Sequence, residues 1–270
     1  MEANRQYWSD QQQHFRRLLN SDRHTEAIHA FLEQHAMLHT ASLVPSSRWS
    51  FQDEISADLT DEELRQIPSG RLHSIAWLLW HIARTEDVTM NVLLANTDQL
   101  LYADHWFERL TIPTRDIGTE MSATDITVLS AGIDIAAVRA YRRGVGQRTR
   151  EIVQQVKADE LRHRVEPARI ERVKAEGALV PAAYGVAEYW GAAYQRQSAL
   201  NSCDTPQLYA FERSRSCAPK AETISLQMEK VSKNTIARFQ AVFVASSWFR
   251  QNGVLSSRPP VPCRGKTPTA

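Results

Sequence analysis

An all-α bundle is the fold class this sequence predicts, on three observations. Apolar residues recur at helical spacing through 73–95, the same spacing returns through 133–156, and no stretch shows the alternation of a strand. Asn4 to Leu19 reads as a charged, aromatic-bearing helix. A second helix is expected from His24 to Leu43, with Ala27, Ile28, Phe31, Leu32, Leu38 and Leu43 on its apolar side. Thr60-Asp-Glu-Glu63 has capping-box spacing ahead of a short helix that Pro68-Ser-Gly70 stops. The helix over 73–95 carries Ile75, Leu78, Leu79, Ile82, Val88, Val92 and Leu93 as one stripe. Leu110 to Ser122 contains Pro113 and Gly118 and predicts a crossing loop, with Ser122-Ala-Thr-Asp125 opening a short helix. Ile133 to Val156 is the last long element, with Ile135, Val138, Tyr141, Val145, Ile152, Val153 and Val156. Long amphipathic helices joined by short ones and a long crossover make a helix bundle lacking one clear member.

Composition bounds the function. A chain of 270 residues, 43% hydrophobic and 23% charged, suits a soluble globular protein. Even the 73–95 segment is interrupted by His81, Arg84, Glu86 and Asp87, well short of the roughly 20 apolar residues that cross a bilayer. The start lacks the apolar core of a signal peptide, so a cytoplasmic protein is expected. Cys203, Cys217 and Cys263 have no metal-ligand spacing and imply no disulfide framework. The near-neutral total hides a division. Residues 1–191 hold 21 basic and 27 acidic residues, a net −6, whereas 192–270 hold 11 and 4, a net +7. All nine histidines lie at or before His163 and all three cysteines at or after Cys203. The expected domains are therefore a helical one over 1–191 and an atypical basic, Ser- and Pro-containing tail over 192–270.

His81 is the first residue to explain, because it sits within a run that otherwise reads as buried helix. Its ring needs a partner indoors, either a hydrogen-bonding group or a metal ion. His35-Ala-Met-Leu-His39 places two more imidazoles at i and i+4, a spacing that can clamp one ion. The alternative is that both are half-buried polar residues at a helix surface. Glu86 could orient a ligand from behind, or be a solvated helix charge. No glutamate follows His35 as in H-E-x-x-H, and no nucleophile elbow, phosphate loop or dinucleotide fingerprint is present, so the catalytic residues stay unknown.

Four segments together resemble the DinB superfamily of metal-binding four-helix bundles. They are Ser74-Ile-Ala-Trp-Leu-Leu-Trp-His-Ile-Ala-Arg-Thr-Glu-Asp87, Leu110-Thr-Ile-Pro-Thr-Arg-Asp-Ile-Gly-Thr119, Ala140-Tyr-Arg142 and Glu188-Tyr-Trp-Gly191. The likeness covers about the first 191 residues. It implies a four-helix bundle with extra short helices, and a zinc or nickel ion held by three histidines, one from the second bundle helix and an H-x-x-x-H pair on the last. His81 matches the first of these. The pair is expected shortly after Gly191, where the chain has no histidine, so the last bundle helix reads as replaced or disrupted and the metal site as deficient. The resemblance further implies a thiol-dependent S-transferase, with a small thiol and an electrophile as partners. No nucleic acid or membrane partner is expected, and a homodimer is the assembly to test. The other class left open is a non-catalytic helical module, structural or stress-associated.

The genetic code offers an account of the missing pair. Reading the possible codons of Asp204-Thr-Pro-Gln-Leu-Tyr-Ala-Phe-Glu-Arg-Ser214 from their second base permits T-R-H-N-F-M-H-L-N-E-A, which resembles the histidine-bearing last helix. A frameshift near Gly191 would make 192–270 an out-of-frame, poorly packed translation. Alternatively, Ala221 to Gln251 has the apolar spacing of a genuine helix that could fill the fourth place.

Overall fold

The structure is a computed structural model that describes residues 2–44, 49–69 and 71–192. Both expectations for the tail, out-of-frame sequence or a replacement helix at 221–251, lie outside those residues. Ten α-helices and no strand occur among the described residues, in agreement with the all-α reading. No described helix is long and apolar enough to cross a membrane.

Helices α1 (Glu2–Leu19) and α2 (His24–Leu38) form an antiparallel pair. Trp8, Phe15 and Leu18 of α1 are buried with Ala27 and Phe31 of α2, and Phe15 meets Phe31 edge-on at 5.8 Å. Helix α2 ends five residues before the expected Leu43, because His39 turns to extended backbone. The Ser50 hydroxyl then donates to the freed His39 carbonyl at 2.7 Å. Ser50 also caps α3 (Phe51–Ser56) by accepting from the Asp53 amide. At α4 (Asp61–Arg65) the capping box forms as expected, with Thr60 and Glu63 each accepting from the other's backbone amide.

Helix α5 (Ile75–Asp87) starts at Ser74, whose hydroxyl accepts from the Trp77 amide. The expected single helix to residue 95 changes character at Val88, where Val88–Ala95 winds as a wider π-helix before Asn96 ends it in the left-handed region. The Thr89 hydroxyl donates to the Thr85 carbonyl within this transition, competing with the regular ladder. Widening serves two cores at once. Met90 and Leu94 face the main cluster, whereas Val88, Val92 and Leu93 face a second one built by Ile117, Val165, Val173, Leu179 and Trp190.

Short α6 (Trp106–Arg109) and the crossing loop lead to α7 (Ala123–Gly132), capped by Ser122 as its sequence predicts. The long α8 (Ile135–Gln155), capped by Asp134, packs along α5 and also touches α2. Val138, Tyr141, Val145, Ile152 and Val153 are its buried stripe. Helices α9 (Pro167–Ala175) and α10 (Tyr184–Ala192) pack on each other and complete the second cluster.

The crossing loop is fixed at Gly118, whose φ of +84° suits glycine. A Cβ there would stand 2.6 Å from the Trp80 ring and 2.9 Å from that of Trp77. Asp116 accepts from the Gly118 amide, and the Ile117 amide donates to the Ala178 carbonyl at 3.0 Å, so the loop lies flat across two indoles. Gly118→Ala should therefore cost about 2 kcal/mol or more, from the disfavoured backbone and the ring collision together. Urea unfolding should show this as a lower midpoint with an unchanged slope.

Candidate functional site

Helix α5 presents four functional side chains within two turns, and they diverge. At about 100° per residue, Glu86 lies about 140° around the axis from His81, so the two cannot share one ligand. His81 faces the crossing loop, Glu86 faces α2, and Arg84 and Asp87 face α8.

His81 is half-buried, while Trp77, Leu78, Trp80 and Ile82 around it are buried. Its ring stacks on Trp77 with centroids 4.6 Å apart and an interplanar angle of 14°, and Trp77 in turn stacks on His73 at 4.0 Å. Its Nδ1 bonds the Ile117 carbonyl. A carbonyl can only accept, so Nδ1 carries the proton and Nε2 the lone pair. Burial lowers the His81 pKa, against the raising effect of that carbonyl and of Asp116. Neutral, oriented and with Nε2 available, this imidazole has the form of a metal ligand.

His35 and His39 do not join His81. They close instead on Glu86: His35 Nε2 lies 2.8 Å from Oε1 and His39 Nε2 3.0 Å from Oε2. All three are fully buried, so the surface reading of the histidine pair is overturned, as is the solvated reading of Glu86. Glu86 bonds the two histidines of α2 and so orients that pair. The His35 ring lies between Phe31 at 5.4 Å and His39 at 4.2 Å. Space for His39 comes from Gly146 of α8, where a Cβ would stand 2.7 Å from the imidazole Cε1. Burial pushes His39 down to about 3, outweighing the pull of Glu86, so its ring is neutral. Burial would raise Glu86, but the two imidazoles and their hydrogen bonds hold it well below the usual carboxylate range. An ionised carboxylate only accepts, so both Nε2 atoms donate, and the neutral His39 ring keeps its lone pair at Nδ1. Neither Nδ1 has a hydrogen-bond partner among the described residues. Arg142, the nearest cation, stays 3.9 Å from Glu86 and binds Gln52 Oε1 and the Leu38 carbonyl instead. These three ligand atoms, all within 4.8 Å of one another, could hold a metal ion.

The third face was missed as a functional unit by sequence reasoning. Asp87 accepts from Arg84, Tyr141, Asn91 and the amides of Leu100 and Leu101, all inside the bundle. Arg84 also donates to Tyr141, to Gln99 and to the Arg115 carbonyl. Burial raises the Tyr141 pKa well above its ordinary value, with Asp87 adding to it, so the phenol keeps its proton and donates. The available signal was chemical: a charged Arg84 and Asp87 one turn apart on an otherwise apolar helix require partners, and Tyr141 lies on the buried stripe of the next long helix.

Removing Asp87 would strand the Arg84 guanidinium in the interior. Asp87→Ala should cost about 3–5 kcal/mol, and Tyr141→Phe about 1–2 kcal/mol, read from chemical unfolding. Two rings set a pH dependence in chelator-treated protein. His39 is held near 3 and His73 near 4, both mainly by burial, against 6.5 when free. Folded-state values below the unfolded one mean that the unfolded chain binds more protons between them. The stability is thus complete above about pH 6.5 and falls as pH drops from there toward 4, by at most about 1.4 kcal/mol per pH unit for fully buried His39. His39→Gln, which keeps a donor for Glu86, should flatten that slope in unfolding curves taken from pH 7 to 4.5.

Comparison with known proteins extends the geometry. No curated protein matches the chain. The family model described as the DinB superfamily matches residues 49–184, half of the sequence. That span takes in His81, Arg84, Glu86, Asp87, Tyr141 and Arg142, and begins after His35 and His39. With its all-helical fold and the residues of α5 and α8 inside the match, the chain belongs to the DinB superfamily.

Proposed function

We propose that this protein is a DinB-superfamily bundle whose family-type metal centre is reduced to one ligand, His81, and that its parent form carries out thiol-dependent S-transfer at a zinc or nickel ion. The observation that carries this reading is the Nδ1 bond of His81 to the Ile117 carbonyl, which leaves Nε2 free to coordinate. The residues of the chain do not fit a complete centre of that kind. His163 is the last histidine, so nothing after Gly191 supplies the H-x-x-x-H pair, and a catalytic site with an open position needs about three protein ligands. No reaction step is assigned to the chain as written. In the parent, a bound ion of this class would supply activation of a small thiol as thiolate toward an electrophile.

A non-catalytic helical module is the second reading. It is favoured by the use of Arg84, Glu86 and Asp87, which all turn into the bundle and bond other helices. A frameshift near Gly191 would unite the two, with a functional parent and an inactive product.

Zinc calorimetry separates them. The chain with its frame restored near Gly191 should gain one tight equivalent over the chain as written, and His81→Ala should remove that gain. A thiol-consumption assay should follow the same order. Equal binding by both versions, or a gain that survives His81→Ala, would end the proposal.

A further inference from the structure

We infer that His35, His39 and Glu86 form a divalent-cation site of their own, independent of His81, with the ion held by the two Nε2 atoms and the Glu86 carboxylate. Geometry comes first. The two nitrogen-to-oxygen separations are 2.8 and 3.0 Å, and all three donors lie within 4.8 Å. Zinc with bonds of about 2.0–2.1 Å holds neighbouring tetrahedral ligands about 3.3 Å apart. Opening the contacts by a few tenths of an ångström therefore suffices. The set of two imidazoles and a carboxylate is one that zinc-class ions accept, and Phe31 and Gly146 already fix the two rings.

Proton accounting allows the exchange. Each Nε2 now donates a hydrogen bond to Glu86 and must present a lone pair to bind an ion. Each Nδ1 is buried and without a hydrogen-bond partner among the described residues, so a proton can be placed on that atom without breaking a bond there. At each Nε2 the proton gives way to the ion, passing to Nδ1 or to solvent, and no oxidant, reductant or leaving group is required.

Among the described residues, the cation paired with Glu86 stands off from it without a hydrogen bond. Its neighbour Asp87 has Arg84 at 3.0 Å, whereas Arg142 stops at 3.9 Å from Glu86 and leaves its own Nη1 without a hydrogen-bond partner. An ion placed between the imidazoles would bring positive charge into direct contact with the carboxylate. The same Arg142 opposes a second cation, and the Nδ1 protons would lack acceptors, so the affinity should be micromolar rather than that of a four-ligand structural zinc. His35 and His39 lie before the 49–184 family match, and Glu86 faces them about 140° around α5 from His81, which separates this cluster from the centre proposed at His81.

The test uses the full chain as written, stripped with chelator and titrated with cobalt(II) by visible absorption and with zinc by calorimetry. One equivalent should bind, with nitrogen- and oxygen-type cobalt bands and a raised melting temperature. His35→Gln and His39→Gln keep an amide donor for Glu86, and circular dichroism verifies their folding. Each should weaken binding at least about tenfold, while His81→Ala binds like the unaltered chain. Absence of binding by the unaltered chain would overturn the site, as would binding that survives both glutamine variants. Because no restored frame is involved, this result is independent of whether the His81 proposal holds.

Discussion

Two adjacent carboxylates, Glu86 and Asp87, are buried on one helix, and the interior must supply donors for both. Helical geometry sends them in different directions, so no single partner can serve. Glu86 draws α2 through its histidines. Asp87 draws α8 through Tyr141 and the 99–101 turn through backbone amides. The apolar stripes would pack α5 against its neighbours with some freedom of rotation and slide. Hydrogen-bonded carboxylates remove that freedom, because a wrong register would leave a buried charge unpaired.

The crossing loop depends on this arrangement. Once α5 is oriented, Trp77 and Trp80 form a flat aromatic surface, and the chain passes over it closely only where Gly118 has no side chain. That pass delivers the Ile117 carbonyl to His81, while the Ile117 amide ties the same loop to Ala178. The residue with the most open coordination chemistry is therefore held from behind by a backbone group. Its free nitrogen faces away from the loop that fixes it.

Much of this was legible in the residues. Apolar spacing located α5 and α8, and local hydroxyl and carboxylate signals located the starts of α4 and α7, because caps act within one turn. The end of α2 was not legible. Its apolar pattern runs on to Leu43, and the turn at His39 is secured by Ser50, a contact made eleven residues away. Nor was the change of winding at Val88, since Val88, Val92 and Leu93 continue the helical stripe and give no sign that the segment winds more widely. His81 could be singled out because a polar ring on an apolar run needs a partner. That His35 and His39 meet Glu86, and not His81, depends on how α2 rotates against α5, which spacing within either helix cannot specify.

Gly146 carries a consequence for how such a chain can change over generations. The glycine makes room for the His39 ring, the ring donates to Glu86, and Arg142, one helical turn before Gly146, balances Glu86 from the other side. A replacement at any one of these positions leaves a void, a collision or an uncompensated charge that only changes at the others can repair. Four residues scattered from 39 to 146 along the chain are thus inherited as one unit. Drift at the bundle surface can proceed residue by residue, whereas this cluster can be kept or exchanged only as a set.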